Sequence, residues 1–188
     1  MTDTTRGAEA AQAAGAAPTP PPPAPRVDAP TSADERTMLT AWLDWHRSTV
    51  WEKCAGLDAG LARAAPLPTS PLVSVGGVVA HLRWVEHAWF EVCLRGGPDE
   101  GPYTADDPDA EWRLGGRRPL PELLAEYAEQ CERSRAITAR MELGGAGRLP
   151  GRQAVTLRWV LVHMIEETAR HNGHLDILRE LADGTRGE

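Results

Sequence analysis

Four stretches of the chain place apolar side chains at three- and four-residue steps, and no stretch keeps the two-residue alternation of a strand. Each stretch is bounded by glycine, proline or a capping side chain, so the fold expected is all-α, an antiparallel four-helix bundle. The first helix starts at Ser32-Ala33-Asp34-Glu35, which has the form of a capping box, and ends at Gly56. Its apolar stripe reads Met38, Trp42, Trp45 and Thr49, flanked by Leu39, Leu43 and Val50. The second runs from Ser74 to Leu94, where Arg95-Gly96-Gly97-Pro98 stops it. The third spans Pro121 to Met141, before Gly144-Gly145-Ala146-Gly147, and the fourth spans Thr156 to Ala182, closed by Asp183-Gly184.

Residues 1–31 lack this pattern. They are rich in alanine, threonine and proline, and Val27 is their only large aliphatic side chain after Met1. Such a segment cannot bury enough apolar surface to offset its ordering entropy. A disordered N-terminal tail (1–31) is therefore expected ahead of one folded domain (32–188). The prolines from Pro18 to Pro30 offer PxxP spacing to a proline-recognition domain, although a solubilising extension is the simpler reading.

Charge and cysteine content remove several classes of function. The net charge is -7, from 27 acids and 20 bases, with no dense basic stretch, so nucleic acid is not an expected partner. No apolar run approaches the ~18 residues that a membrane helix needs. Asp3, Arg6 and Glu9 stand where a signal peptide would carry a basic start and an apolar core. Cys54, Cys93 and Cys131 are scattered and form no Cys-x-x-Cys pair, which argues for buried hydrophobes in a reducing cytoplasm rather than disulfides, thiolate zinc or nucleophiles. Lys53 is the only lysine among the bases, a bias that suggests GC-rich codons and a high-GC bacterium. Asp99 to Glu111 holds six acids and no base and reads as a solvated acidic loop without EF-hand spacing.

The fourth helix carries the chemistry. Its core stripe reads Val160, Met164, Glu167, Thr168, His171, Leu175 and Leu178, which sets a carboxylate and an imidazole one turn apart in the middle of an apolar face. An unpaired carboxylate there costs several kcal/mol, roughly, so something must compensate it. The second helix offers His81, which shares a face with Gly77, Val78, Trp84, Val85, Ala88 and Val92, whereas His87 falls on a more polar side with Arg83, Phe90 and Glu91. His81, Glu167 and His171 thus form a two-histidine, one-carboxylate metal set with at least one open position, the arrangement of a catalytic site. The competing reading is a hydrogen-bonded His–Glu pair with His81 as a core histidine. His163 and His174 are candidates to orient the ligands, or else surface residues. Arg47 is a candidate anchor for an anionic substrate group, or a surface arginine. Trp84 is a candidate pocket wall, or a core tryptophan.

The segments GGVVAHLRWVEHAWF (76–90), LRWVLVHMIEETARHNGHLDILRELADG (157–184) and DERTMLTAWLDWHRSTVWEKCAGL (34–57) resemble the DinB-like superfamily. Within it the match is closest to the actinobacterial branch related to mycothiol-dependent maleylpyruvate isomerase, over about residues 32–186. The resemblance implies a four-helix bundle holding a divalent metal, with the family's ligands falling on His81, Glu167 and His171. Many superfamily members carry histidine at the position of Glu167, and the isomerase type carries glutamate, as here. The isomerase has an additional C-terminal domain that contributes to its active site, while this chain stops at Glu188.

The function expected is that of a divalent-metal-dependent, mycothiol-dependent S-transferase or isomerase-like enzyme acting on a small electrophile. Zinc is the first choice of metal, with nickel or iron as alternatives. Competing readings are a metal-dependent hydrolase and a non-catalytic metal- or ligand-binding bundle. The partners expected are a small-molecule thiol and an electrophile, with neither nucleic acid nor membrane, and a homodimer as a candidate assembly.

Overall fold

The computed structural model describes residues 25–147 and 154–187. Within them lie α1 (Glu35–Cys54), α2 (Ala59–Arg63), α3 (Val75–Glu86), α4 (Ala110–Gly115), α5 (Leu120–Thr138) and α6 (Leu157–Asp183), and α3 continues as a π-helical segment over His87–Leu94. The four long helices expected are present, and α2 and α4 are additions. No helix among the described residues is long and apolar enough to cross a membrane.

Local chemistry sets the helix ends. α1 is capped by Asp34, whose carboxylate accepts the Thr37 N–H at 3.1 Å, so the capping box expected at Ser32 is replaced by a cap two residues on. Ser74 and Thr156 cap α3 and α6 through their hydroxyls. Gly184 closes α6 at φ 77°, a left-handed conformation that costs a glycine little. Most of the tail expected over 1–31 lies outside the described residues. Of the part that is described, Arg26 packs on α1, 3.1 Å from Glu52 and with its guanidinium over the Trp45 ring.

Cross-contacts fix the directions of the helices. Arg158 meets Glu35 where α6 and α1 begin, and Arg179 donates to the Lys53 and Ala55 carbonyls where they finish, so this pair runs parallel. Arg36 donates to the Thr138 carbonyl and Trp51 stacks on Tyr127, so α5 runs against α1. His81 meets Glu167 and Trp89 meets Trp159, so α3 runs against α6. The order is up, down, down, up. Two consecutive helices, α3 and α5, point the same way only because residues 95–119 cross back along the bundle, and that crossover carries α4.

α4 docks through a glycine-to-glycine contact. A Cβ on Gly76 would overlap the Gly115 carbonyl oxygen, and one on Gly115 would overlap the Gly76 oxygen. Only glycine at both positions permits this approach. It lays α4 along the first turn of α3, one turn before His81.

The core forms two apolar clusters. One includes Val50, Trp51, Val79, Leu82, Leu124, Tyr127 and Leu175, and the other includes Leu43, Phe90, Leu157, Leu161 and Met164. Between them in the register of the four helices lies a buried polar layer of Arg47, Glu86, Gln130, Ser134 and Thr168, with His171 at its edge. Of the α1 face expected inside, Thr49, Leu43 and Val50 are buried, while Trp42 is exposed and Arg47, Trp51 and Cys54 are buried instead. The Arg47–Glu86 ion pair turns the helix, because two well-matched charges can be buried together. On α3 and its π-helical continuation the buried face runs through Val75, Val79, Leu82, Glu86 and Phe90, and His87 lies on the polar side expected for it, beside Arg83 and Glu91, but buried there, its Nε2 accepting the Glu100 N–H.

Candidate metal centre

His81, Glu167 and His171 meet where α3 faces α6, with one ligand atom from each lying within 4.8 Å of the others. The Nε2 atoms of His81 and His171 both point at Glu167 Oε1, at 3.1 and 3.2 Å. Each ring is held from behind. His81 Nδ1 is 2.6 Å from Glu111 Oε1, and His171 Nδ1 is 3.2 Å from His174 Nδ1. A carboxylate at that distance accepts a proton from Nδ1, so that once Nε2 loses its own proton to a cation, its lone pair faces the centre. Trp112 of α4 stacks on the His81 ring at 4.4 Å and 20°, covering its outer face. The residues fit a divalent cation: two imidazole nitrogens and a carboxylate oxygen converge, and both imidazoles have the second partner that orients metal-bound histidines.

The electrostatics match this arrangement. Burial pushes the pKa of His81 down, but its hydrogen bonds to Glu111 and Glu167, with the charges of both, outweigh burial and hold it above the ordinary imidazole value. Hydrogen bonds from His171 and His81 hold the Glu167 carboxyl far below the usual range, against the opposing effect of burial. Burial, then the neighbouring His171, push His174 down, which keeps it neutral and able to accept.

These directions fix the sign of a pH effect. With its pKa raised, His81 contributes ion-pair stability to the metal-free fold that is full below pH ~6.5 and is lost as pH rises through its folded value. A cation must displace that proton, so divalent-metal affinity is expected to drop by at least about tenfold per pH unit below the His81 pKa. Glu167 stays ionised throughout and adds no step. Competition titration with a chromophoric chelator from pH 5 to 8 measures the profile, and a flat curve would rule out imidazole ligation.

The structure distributes the other expected site residues differently. His174 sits on His171. His163 does not reach the triad: one turn before Glu167 on α6, it stacks on Trp159 and meets Trp89 edge-on. Arg47 is buried and held by both Glu86 oxygens at 2.7 Å, with Asp44 at 2.9 Å, so it anchors the core rather than a substrate. Trp84 packs against Arg83 and His87 on a separate polar cleft that also involves Arg118 and Glu126, so it does not wall the triad. Glu111 and Trp112, which do, were hidden at the end of an acidic run; the helix-starting Asp109 just before them is the only hint in the sequence.

A family model described as mycothiol-S-transferase matches residues 38–184. A search of curated proteins returned no match. The matched span takes in nearly all of α1, the whole of α3 to α5, and α6 with every residue of the triad and its supports, and on that ground the chain belongs to the mycothiol-S-transferase family of the DinB-like superfamily.

Proposed function

We propose that this protein is a divalent-metal-dependent S-transferase that joins mycothiol to a small electrophile, with His81, Glu167 and His171 as the metal ligands and zinc as the metal. The observation that carries the reading is the convergence of both Nε2 atoms on Glu167 Oε1 while both Nδ1 atoms are held from behind. A bound divalent cation would lower the pKa of a thiol at its remaining position toward neutrality. His81, His171 and Glu167 leave that position open, and Glu111, His174 and Trp112 keep the two imidazole rings from turning away. In the transfer a C–S bond forms, the leaving group departs with its bonding pair, and the thiol proton passes to water. Cys54 and Cys131 do not compete: both are buried, and burial pushes each up to about 12. A reducing cytoplasm suits such a reaction.

The test is bimane conjugation by the metal-loaded protein in the presence of mycothiol. Turnover should require the thiol and should stop when dipicolinate removes the metal. Turnover that persists after chelation, or substrate loss without thiol, would exclude this function, and the latter would favour the hydrolase.

A further inference from the structure

The end of α5 and the turn after it lie beside the end of the π-helical segment, and a groove of about 450 Å³ runs between them. Its apolar lining is wholly aliphatic: Leu94, Ala136, Ile137, Met141 and Ala146. Ile137 and Met141 rest on the apolar cluster that holds Leu94, so the floor is part of the core, while Ala136 is exposed. The polar lining is three arginines, Arg95, Arg133 and Arg140, with no acid. In a chain of 27 acids and 20 bases this is a local reversal of sign. The three are not equally free. Arg133 donates from Nε to Glu91 at 2.9 Å and from Nη1 to Glu129 at 2.7 Å, and Arg95 lies 3.9 Å from Glu91. Arg140 is exposed, and its guanidinium makes no hydrogen bond or ion pair among the described residues. One uncommitted positive charge therefore stands at the rim of an aliphatic groove. Leu94 is about 15–20 Å along the helix from His81, so the groove is separate from the metal centre.

We propose that this groove binds a straight-chain aliphatic carboxylate, with the carboxylate on Arg140 and the chain along Leu94, Ile137 and Met141. The inference stands apart from the S-transferase reading and uses none of the triad. Each part of the ligand answers to a part of the groove. A floor without an aromatic ring offers exclusion of water and dispersion contacts but no stacking partner, which favours a flexible chain over a planar one. Three arginines with no acid among them favour an anion. A single uncommitted guanidinium balances a single negative charge, and its planar fork matches the two oxygens of a carboxylate, whereas a phosphate dianion would leave charge unmatched. The volume falls in the range of small-molecule sites, about 300–1,000 Å³, and towards its lower end. A peptide helix, about 10 Å across, is too wide for it.

Titration of the full chain, as purified and isotope-labelled, with sodium octanoate tests this through its backbone amide shifts. Saturable shifts should appear at Arg95, Ile137, Arg140, Met141 and Ala146. Affinity should fall about two- to fourfold for each methylene removed, measured with hexanoate and butyrate. Octanol, which keeps the chain and lacks the charge, should bind about five- to tenfold more weakly than octanoate, and Arg140→Gln should cause a loss of the same size. An arginine that served only the helix C-terminus would change stability and leave binding alone. Arg63→Gln, at an exposed arginine of α2, should change nothing. Ala136→Glu, which sets an acid in the groove at an exposed helical position, should abolish binding, and it replaces the first variant if that one loses its helical circular dichroism. Three results would overturn the proposal: octanoate shifts no amide, its shifts are confined to His81, Glu167 and His171, or neither chain length nor the two variants alter binding. A glutamate-rich peptide that shifts the groove amides where octanoate does not would also overturn it and make the groove a protein contact.

Discussion

Glu86→Ala is expected to destabilise the protein by about 3–5 kcal/mol, the cost of leaving a buried charge without its partner. Glu86 is fully buried, and both its oxygens accept from Arg47, which is itself buried. Removing the carboxylate strands a guanidinium between two apolar clusters, with only Asp44 still within reach. Domains of this size have ~5–15 kcal/mol in total, so a large part of the stability is at stake. Urea unfolding followed by circular dichroism measures the loss. The double replacement Arg47→Met with Glu86→Leu should recover most of it, because no unpaired charge remains. A loss under about 1 kcal/mol in the single variant would mean that water already reaches the pair.

Glu167→Ala is expected to lower divalent-metal affinity by at least about a hundredfold while the helices persist, because it removes the only carboxylate of the triad and the atom on which both imidazoles converge. Glu111→Gln should give a smaller loss of about ten- to a hundredfold, the usual range for a partner behind a metal-bound histidine, since an amide holds the His81 ring less firmly. The order of the two effects matters more than their size. If Glu111→Gln weakened the metal as much as Glu167→Ala, Glu111 would itself be a ligand. Isothermal titration with zinc separates these outcomes.

The sequence shows α6 and its pairing of Glu167 with His171 clearly, because a stripe that keeps three- and four-residue steps from Val160 to Leu178, about five turns, leaves few ways to orient the helix and puts the two side chains one turn apart. The caps at Ser74 and Thr156 follow from the same local rules. What the sequence does not show is decided by tertiary pairing. Hydrophobicity alone turns Trp42 and Trp45 inward on α1, whereas the Arg47–Glu86 pair turns Leu43, Arg47 and Val50 inward and leaves Trp42 at the surface. The same rotation on α3 buries His87 and keeps His81 at the edge of the polar layer, where a metal ligand needs some access. α4 has six residues, too few to display a period, and its place depends on Gly76 meeting Gly115, two residues 39 positions apart in the chain. Of the two residues that brace His81, Glu111 therefore ends the segment that reads as plain acidic loop and Trp112 directly follows it.

Metal analysis of protein purified without a chelating tag is the most direct test of the central claim, that His81, Glu167 and His171 hold a divalent ion. The wild type should contain about one equivalent per chain, and a folded Glu167→Ala variant should contain less than about 0.1. A full equivalent in the folded variant, or a wild type that takes up no divalent ion at all, would contradict it.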